Sequence, residues 1–239
     1  MKPKSNSYLS GFIDGIPIGL GYLSVSFSFG IQAHAMDIPI LWTLLISMTN
    51  LTSAGQASGI GIIAAGGSLV EMALTQLIIN SRYFLMSLSL SQKLEGSFTL
   101  LHRLTASFGI TDEVFALASS KGHKLSPKYM YGLIAAPYIG WSLGTFLGAA
   151  AGNLLPDMVS DALGIALYGM FIAIVVPPIK KNLRLLAVVS LAVAVSCILY
   201  YVPIFDFVSS GFSIIISTVI ASLFGALLFP VPTEDPDDE

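Results

Sequence analysis

A single cysteine, Cys197, excludes an intrachain disulfide, and its place inside an apolar run makes it a packing residue. Charge is scarce as well. Only 10% of the 239 residues are Asp, Glu, Lys or Arg, against about a quarter in a soluble domain. With 54% hydrophobic residues and a mean hydropathy of +0.81, that scarcity excludes a water-soluble globular protein and describes a polytopic membrane protein. The three histidines, His34, His102 and His123, fall in predicted loops and there is no HExxH helix, which leaves no zinc-protease motif and no candidate metal site. Asp14 and Asp112 could pair as the dyad of an intramembrane hydrolase, but neither sits in a recognisable protease context. A channel would call for a repeated filter-like segment or a ring-forming charge pattern, and the chain has neither. Nothing in it asks for a cofactor or a nucleic-acid partner.

What is present is a series of apolar runs, several reaching the roughly 20 residues needed to cross about 30 Å of hydrocarbon. Gly and Pro lie inside them, as helical spans tolerate and β-barrel strands do not resemble. The expected fold is an all-α bundle of about seven to eight membrane segments, some broken or re-entrant. Lys2 and Lys4 ahead of an apolar run superficially suggest a signal peptide. There is no small-residue cleavage pattern, however, and Asp14 and Pro17 interrupt the run, so it reads as a retained first helix. The domain plan is a cytoplasmic N-terminus (1–10), one transmembrane domain (11–229) and an acidic cytoplasmic tail (230–239).

Three segments depart from plain lipid-facing helices. The first, Leu77–Leu90, carries Asn80 and Arg82 in its middle. A guanidinium at bilayer depth costs roughly 2.5–3.5 kcal/mol on insertion scales, so Arg82 needs a partner or a water-filled cavity unless it lies near enough to a surface to snorkel. The second, Ile40–Ala65, reads TNLTSAGQASGIG at its centre. A break is expected there near Ser53–Gln56, the alternative being a continuous helix that uses its small residues for packing. The third, Leu104–Ser119, is too short for a clean span and contains Thr111, Asp112 and Glu113. It reads as a broken or re-entrant element, or else as a surface loop.

The positive-inside rule places both termini in the cytoplasm. The loops around Lys121 and Lys180 fall inside, and Asp37, Asp157, Asp161 and Asp206 fall outside. Parity then requires residues 40–119 to return the chain to the cytoplasm. Three spans do so and leave Lys93 and Arg103 outside; one span between two re-entrant hairpins does so and leaves both inside. The charge rule favours the second and simplicity the first. The working arrangement has eight membrane elements, the second and fourth irregular. Gly11–Gly30 and Gly132–Gly148, each with an early proline and glycines after it, form a faint internal echo.

These residues suit a small zwitterion. Arg82 and a helix break at Ser53, Ala54, Gly55 and Gln56 offer a carboxylate site, flanked by Asn80 and Thr111. Asp112, Glu113 or Asp14 offer an ammonium site or a counter-ion. One cation faces three carboxylates, so at least one of the three is protonated, hydrated or near a surface, and that surplus is what a proton-coupled carrier needs.

In order along the chain stand GFIDGIPIGLGY (11–22), SAGQ (53–56), Asn80-x-Arg82 followed by an aromatic, and TDEVFAL (111–117). The combination, over roughly residues 10 to 200, resembles the AzlC family, the large subunits of two-component branched-chain amino-acid exporters. The resemblance implies a multi-pass transporter of small aliphatic amino acids with a small hydrophobic AzlD-type membrane subunit as partner. One departure stands out: the family commonly has His after the Arg, and this chain has Tyr83.

Overall fold

A computed structural model describes residues 6–152 and 182–229, together with 158, 169, 172 and 175–180 between them. Most of the expected acidic loop at Asn153–Asp161 and of the short run Leu163–Val176, and all of the tail 230–239, lie outside the described residues.

The bundle is organised around two long helices, α1 (Tyr8–Ala35) and α7 (Pro127–Ala151). At 28 and 25 residues they are about 42 and 38 Å long, enough to cross a bilayer with some tilt. Ser7 and Ser126 cap their N-termini, each hydroxyl accepting an amide hydrogen three residues on. The two helices run parallel, since Gly11 lies against Tyr129 and Leu133 while Gly30 lies against Thr145 and Ala149. Glycines at spacings of four on both helices bring backbone against backbone, so that a Cβ on Gly15 would stand 2.6 Å from the Leu133 carbonyl oxygen. The internal echo of the sequence therefore becomes a packed pair.

Because α1 and α7 start at one face, the chain between them must return to that face, and it crosses once to do so. The crossing is α4 (Leu69–Ser91), flanked by two hairpins of half-length helices. α2 (Ile40–Thr49) descends from the far face, residues 50–52 turn, and α3 (Ser53–Ala64) climbs back. Leu51 at the turn packs on Tyr22 and Trp141 in mid-bundle, while Ile60 is again level with Phe29, Ala33 and Ile38 near the end of α1. α5 (Leu100–Ser107) and α6 (Asp112–Ser119) form the opposing hairpin from the near face. Phe108 at its tip meets Tyr138 edge to face, and Lys93, just past α4, donates to the Ser119 carbonyl at its base.

Lys93 and Arg103 thus share the near face with Lys121, Lys124 and Lys128, and the three-span alternative that put them on the far face does not hold. The break also lies a few residues earlier than expected: Thr52 caps α3 through its hydroxyl, so Ser53–Gln56 forms the first turn of a helix instead of a gap. Gly55 and Gly59 in that helix admit Gln76 and Met72 of α4.

α8 (Leu183–Tyr201) and α9 (Ser210–Leu228) are antiparallel, with Ser196 donating to Ser217 and Val188 against Gly225. The buried Glu71 ties α9 to α4 by accepting from the Gly211 amide at 2.9 Å and from the Ser209 hydroxyl. Among the described residues four helices, α1, α7, α8 and α9, are long and apolar enough to span a membrane. α4 is long enough but carries Gln76, Asn80 and Arg82.

This arrangement predicts that, in a Cys197→Ser background, single cysteines at Gly96 and Gly122 react with an impermeant thiol reagent from one side of sealed vesicles and a cysteine at Ala65 from the other. Co-labelling of the sites at 65 and 96 would overturn the hairpins.

Candidate functional site

The tips of the two hairpins meet in mid-bundle beside α4. Two half-helices, α3 and α6, begin there, each capped by a threonine: Thr52 accepts from the Gly55 amide and Thr111 from the Val114 amide. The opposed hairpins therefore aim two helix N-termini, with their partial positive charge, at one level of the bundle.

The charged residues gather at this level. Arg82 Nη1 pairs with Asp112 Oδ2 at 2.7 Å, and Nη2 donates to the Tyr83 hydroxyl at 3.2 Å. The Tyr22 hydroxyl of α1 donates to Glu113, with Thr111 close by. A small cavity of about 20 Å³, room for roughly one water, is lined by Tyr22, Leu51, Ser53, Tyr83, Thr111, Asp112, Glu113 and Trp141. Beyond Leu51 and Tyr83, which line both spaces, lies a larger cavity of 240 Å³ bordered by Thr49, Asn50, Thr52, Asn80, Ser107, Phe108 and Ile110.

The sequence candidates thus divide. Ser53, Arg82, Thr111, Asp112 and Glu113 come together, and Asn80 borders the adjoining space. Ala54 sits in the first turn of α3. Gly55 is turned to Gln76 of α4. Gln56 is fully buried, accepts from Trp141 Nε1 at 3.1 Å and donates to the Asn50 carbonyl, so it holds the α2–α3 tip against α7. Asp14 lies apart, two turns nearer the near face, where Lys121 Nζ at 2.6 Å and the Tyr129 hydroxyl at 2.8 Å both donate to it. Burial pulls the Lys121 ammonium down, but hydrogen bonds to Asp14 and Tyr129 outweigh it and hold the group above its ordinary value.

Sequence reasoning did not single out Tyr22, Trp141, Asn50 or Gln76 as site residues. Gln76 carried a readable signal: with Asn80 and Tyr83 it forms an i, i+4, i+7 polar stripe along an otherwise apolar helix.

Comparison with known proteins decides the family. The family model described as AzlC protein matches residues 17–155, from Pro17 of α1 to just past α7, and so includes both hairpins and the residues at their tips. The chain belongs to the AzlC family. This is a transporter-type family of membrane proteins. Its relatives include the inner membrane protein YgaZ of Escherichia coli K12, 30% identical over 84% of this chain and 86% of that protein. An uncharacterized membrane protein of Archaeoglobus fulgidus is 28% identical over 74% of this chain and 78% of its own length. A further uncharacterized membrane protein, from Helicobacter pylori J99, is 24% identical over 81% and 87%. No solved structure matches this AzlC-family chain.

Proposed function

We propose that this protein is a secondary transporter that exports small aliphatic, branched-chain amino acids across the cytoplasmic membrane in exchange for protons. The observation that carries the reading is the meeting of two opposed half-helix hairpins at the Arg82–Asp112 pair. Broken helices meeting at mid-depth are the usual construction of a carrier's solute site, because helix ends supply partial charges where no water does. The first amides of α3, at Ser53 and Ala54, and the unfilled donors of Arg82 serve the substrate carboxylate. Leu51, Phe108 and Ile110 give the aliphatic chain an apolar wall.

Proton coupling follows from the charge balance. Arg82 stands against Asp112 and Glu113, so one proton on the carboxylates makes the site neutral and removes the cost of an unbalanced charge at depth. Glu113, which faces Tyr22 and not the guanidinium, is the carboxylate we assign to it. The lysine-bearing near face is the cytoplasmic one by the positive-inside rule, and a small AzlD-type subunit is the partner the family resemblance suggests. The inner-membrane name of the Escherichia coli relative agrees with this location.

Purified protein in proteoliposomes should show saturable leucine counterflow. Glu113→Gln should retain counterflow but lose the response of net leucine flux to an imposed pH gradient. Flux that neither saturates nor exchanges would replace the carrier by a channel.

A further inference from the structure

Between the end of α4 and the near-face hairpin runs an apolar groove of about 240 Å³ that the solute site does not use. Its floor is core, made by the buried Leu90, Ala106 and Met130. Its rim is Ser87 and Ser91 on one side and Leu104 and Ser107 on the other, and the exposed Leu104 and Ser107 leave it open sideways. Two of the rim hydroxyls are satisfied within their own helices, Ser91 donating to the Leu88 carbonyl at 2.6 Å and Ser107 to the Leu104 carbonyl at 2.9 Å. The groove therefore offers hydrocarbon contact along its length and little to hold a zwitterion.

Because α4 descends to the near face and α5 rises from it, the groove runs along the bundle. Leu94 and Arg103 stand at its near-face end, and Ser87 and Ile110 at its inner end. From Ser87 to Leu94 the wall is roughly 10 Å long at 1.5 Å per residue, about two thirds of one leaflet. Arg103, in the first turn of α5, is exposed and has neither an ion pair nor a side-chain hydrogen bond among the described residues. Other near-face groups are committed: Lys93 to the Ser119 and Lys121 carbonyls, Lys121 to Asp14, and the Glu95 carboxylate to Asn6 and Ser97. An apolar slot one leaflet deep, with a guanidinium at its surface end, matches the shape and charge of one lipid standing upright in the near-face leaflet.

We propose that this groove binds an anionic phospholipid of that leaflet, with one acyl chain between α4 and α5 and the phosphate on Arg103. A guanidinium meets phosphate oxygens with paired donors. A zwitterionic headgroup brings its own cation to the same place, so the site favours a headgroup that carries only the negative charge. Ser107 and Ile110 also border the cavity beside Tyr83, so the bound tail ends against a wall of that cavity. The inference goes beyond the transporter reading and does not need it.

The test is lipid binding to purified protein, with phosphatidylglycerol and phosphatidylcholine of the same chains counted by native mass spectrometry. Wild type should prefer phosphatidylglycerol by about fivefold. Arg103→Gln should bind the two lipids equally, whereas Lys128→Gln, which removes an exposed near-face cation outside the groove, should keep the preference. A preference that survives Arg103→Gln, or that falls as far in Lys128→Gln, would reduce the effect to general surface charge and overturn the site. The tail is located without any variant: phosphatidylglycerol with a diazirine midway along its chain should crosslink wild type within residues 87–94 or 104–110. Crosslinks confined to other helices would also overturn the proposal. So would oleate that displaces phosphatidylglycerol at equal concentration, since a carboxylate head would then serve as well as the phosphate. None of these results bears on leucine counterflow, so the transporter reading stands or falls separately.

Discussion

Gly140→Val is expected to remove nearly all folded protein from the membrane, whereas Gly21→Val, the same exchange one helix away, should be tolerated. A Cβ at position 140 would stand 2.8 Å from the Gly19 carbonyl carbon and 3.0 Å from its Cα. Those are backbone atoms of another glycine, with no side chain to swing aside, so α1 and α7 must separate. Overfilling a packed interior costs about 1–3 kcal/mol when neighbours can adjust, and here they cannot, so the loss should reach or exceed the top of that range. In hydrocarbon no hydrophobic force draws the helices back together, since lipid is as apolar as valine; close packing is what holds them. Gly21 meets nothing within 4 Å and is the control for helix propensity and hydrophobicity. Monodisperse protein on gel filtration and its unfolding midpoint report the outcome. Similar behaviour of the two variants would mean that the glycine seam is not what assembles the bundle.

That seam shows where sequence was legible and where it was not. The scarcity of charge and the glycine- and proline-bearing apolar runs were enough to identify a helical membrane bundle, and the repeated spacing in α1 and α7 was visible as an echo. That the echoing helices lie face to face was not visible, because spacing defines a stripe but not its partner. The charge rule favoured two hairpins around one span, since it keeps Lys93 and Arg103 with the other cations, and the packing agrees. The break was displaced because a cap and a gap look alike in composition: Thr52 and Ser53 are both hydroxylated, and only the bond from Thr52 to the Gly55 amide tells which one starts the helix. Asp14 groups with the other intramembrane carboxylates in the sequence because composition does not fix its depth, and in α1 it stands two turns nearer the near face than Tyr22. The pull of Lys121 and Tyr129 towards the near face becomes visible only once α6 is folded back. Tyr22 and Trp141 are not legible as site residues, because an aromatic in an apolar helix reads as lipid-facing until its hydroxyl or ring nitrogen finds a partner, here Glu113 and Gln56.

The second large effect is expected at the Arg82–Asp112 pair, where stability and transport should separate. Arg82→Ala leaves Asp112 and Glu113 as adjacent carboxylates with no guanidinium beside them. The pair is partly exposed, with 41% and 37% of its side-chain surfaces accessible. The cost should therefore fall between the roughly 1 kcal/mol limit of a surface pair and the roughly 3 kcal/mol at which buried pairs begin. Asp112→Asn leaves the guanidinium its bond to the Tyr83 hydroxyl and should cost less. Combining the two substitutions removes both unmatched charges, so the double variant should be more stable than Arg82→Ala alone, with a coupling energy of about 1 kcal/mol. Transport should not follow that recovery. If the guanidinium passes from Asp112 to the substrate carboxylate during the cycle, the double variant has regained a fold but has nothing to hand over. Arg82→Lys makes the distinction sharper: it keeps the charge and most of the pair's stability, but a compact ammonium lacks the planar fork that can bind two carboxylates at once, so leucine counterflow should fall at least about tenfold. Wild-type flux in both Arg82→Lys and Arg82→Ala, at normal levels of inserted protein, would take Arg82 out of the solute site and leave the pair as a clamp between α4 and the near-face hairpin.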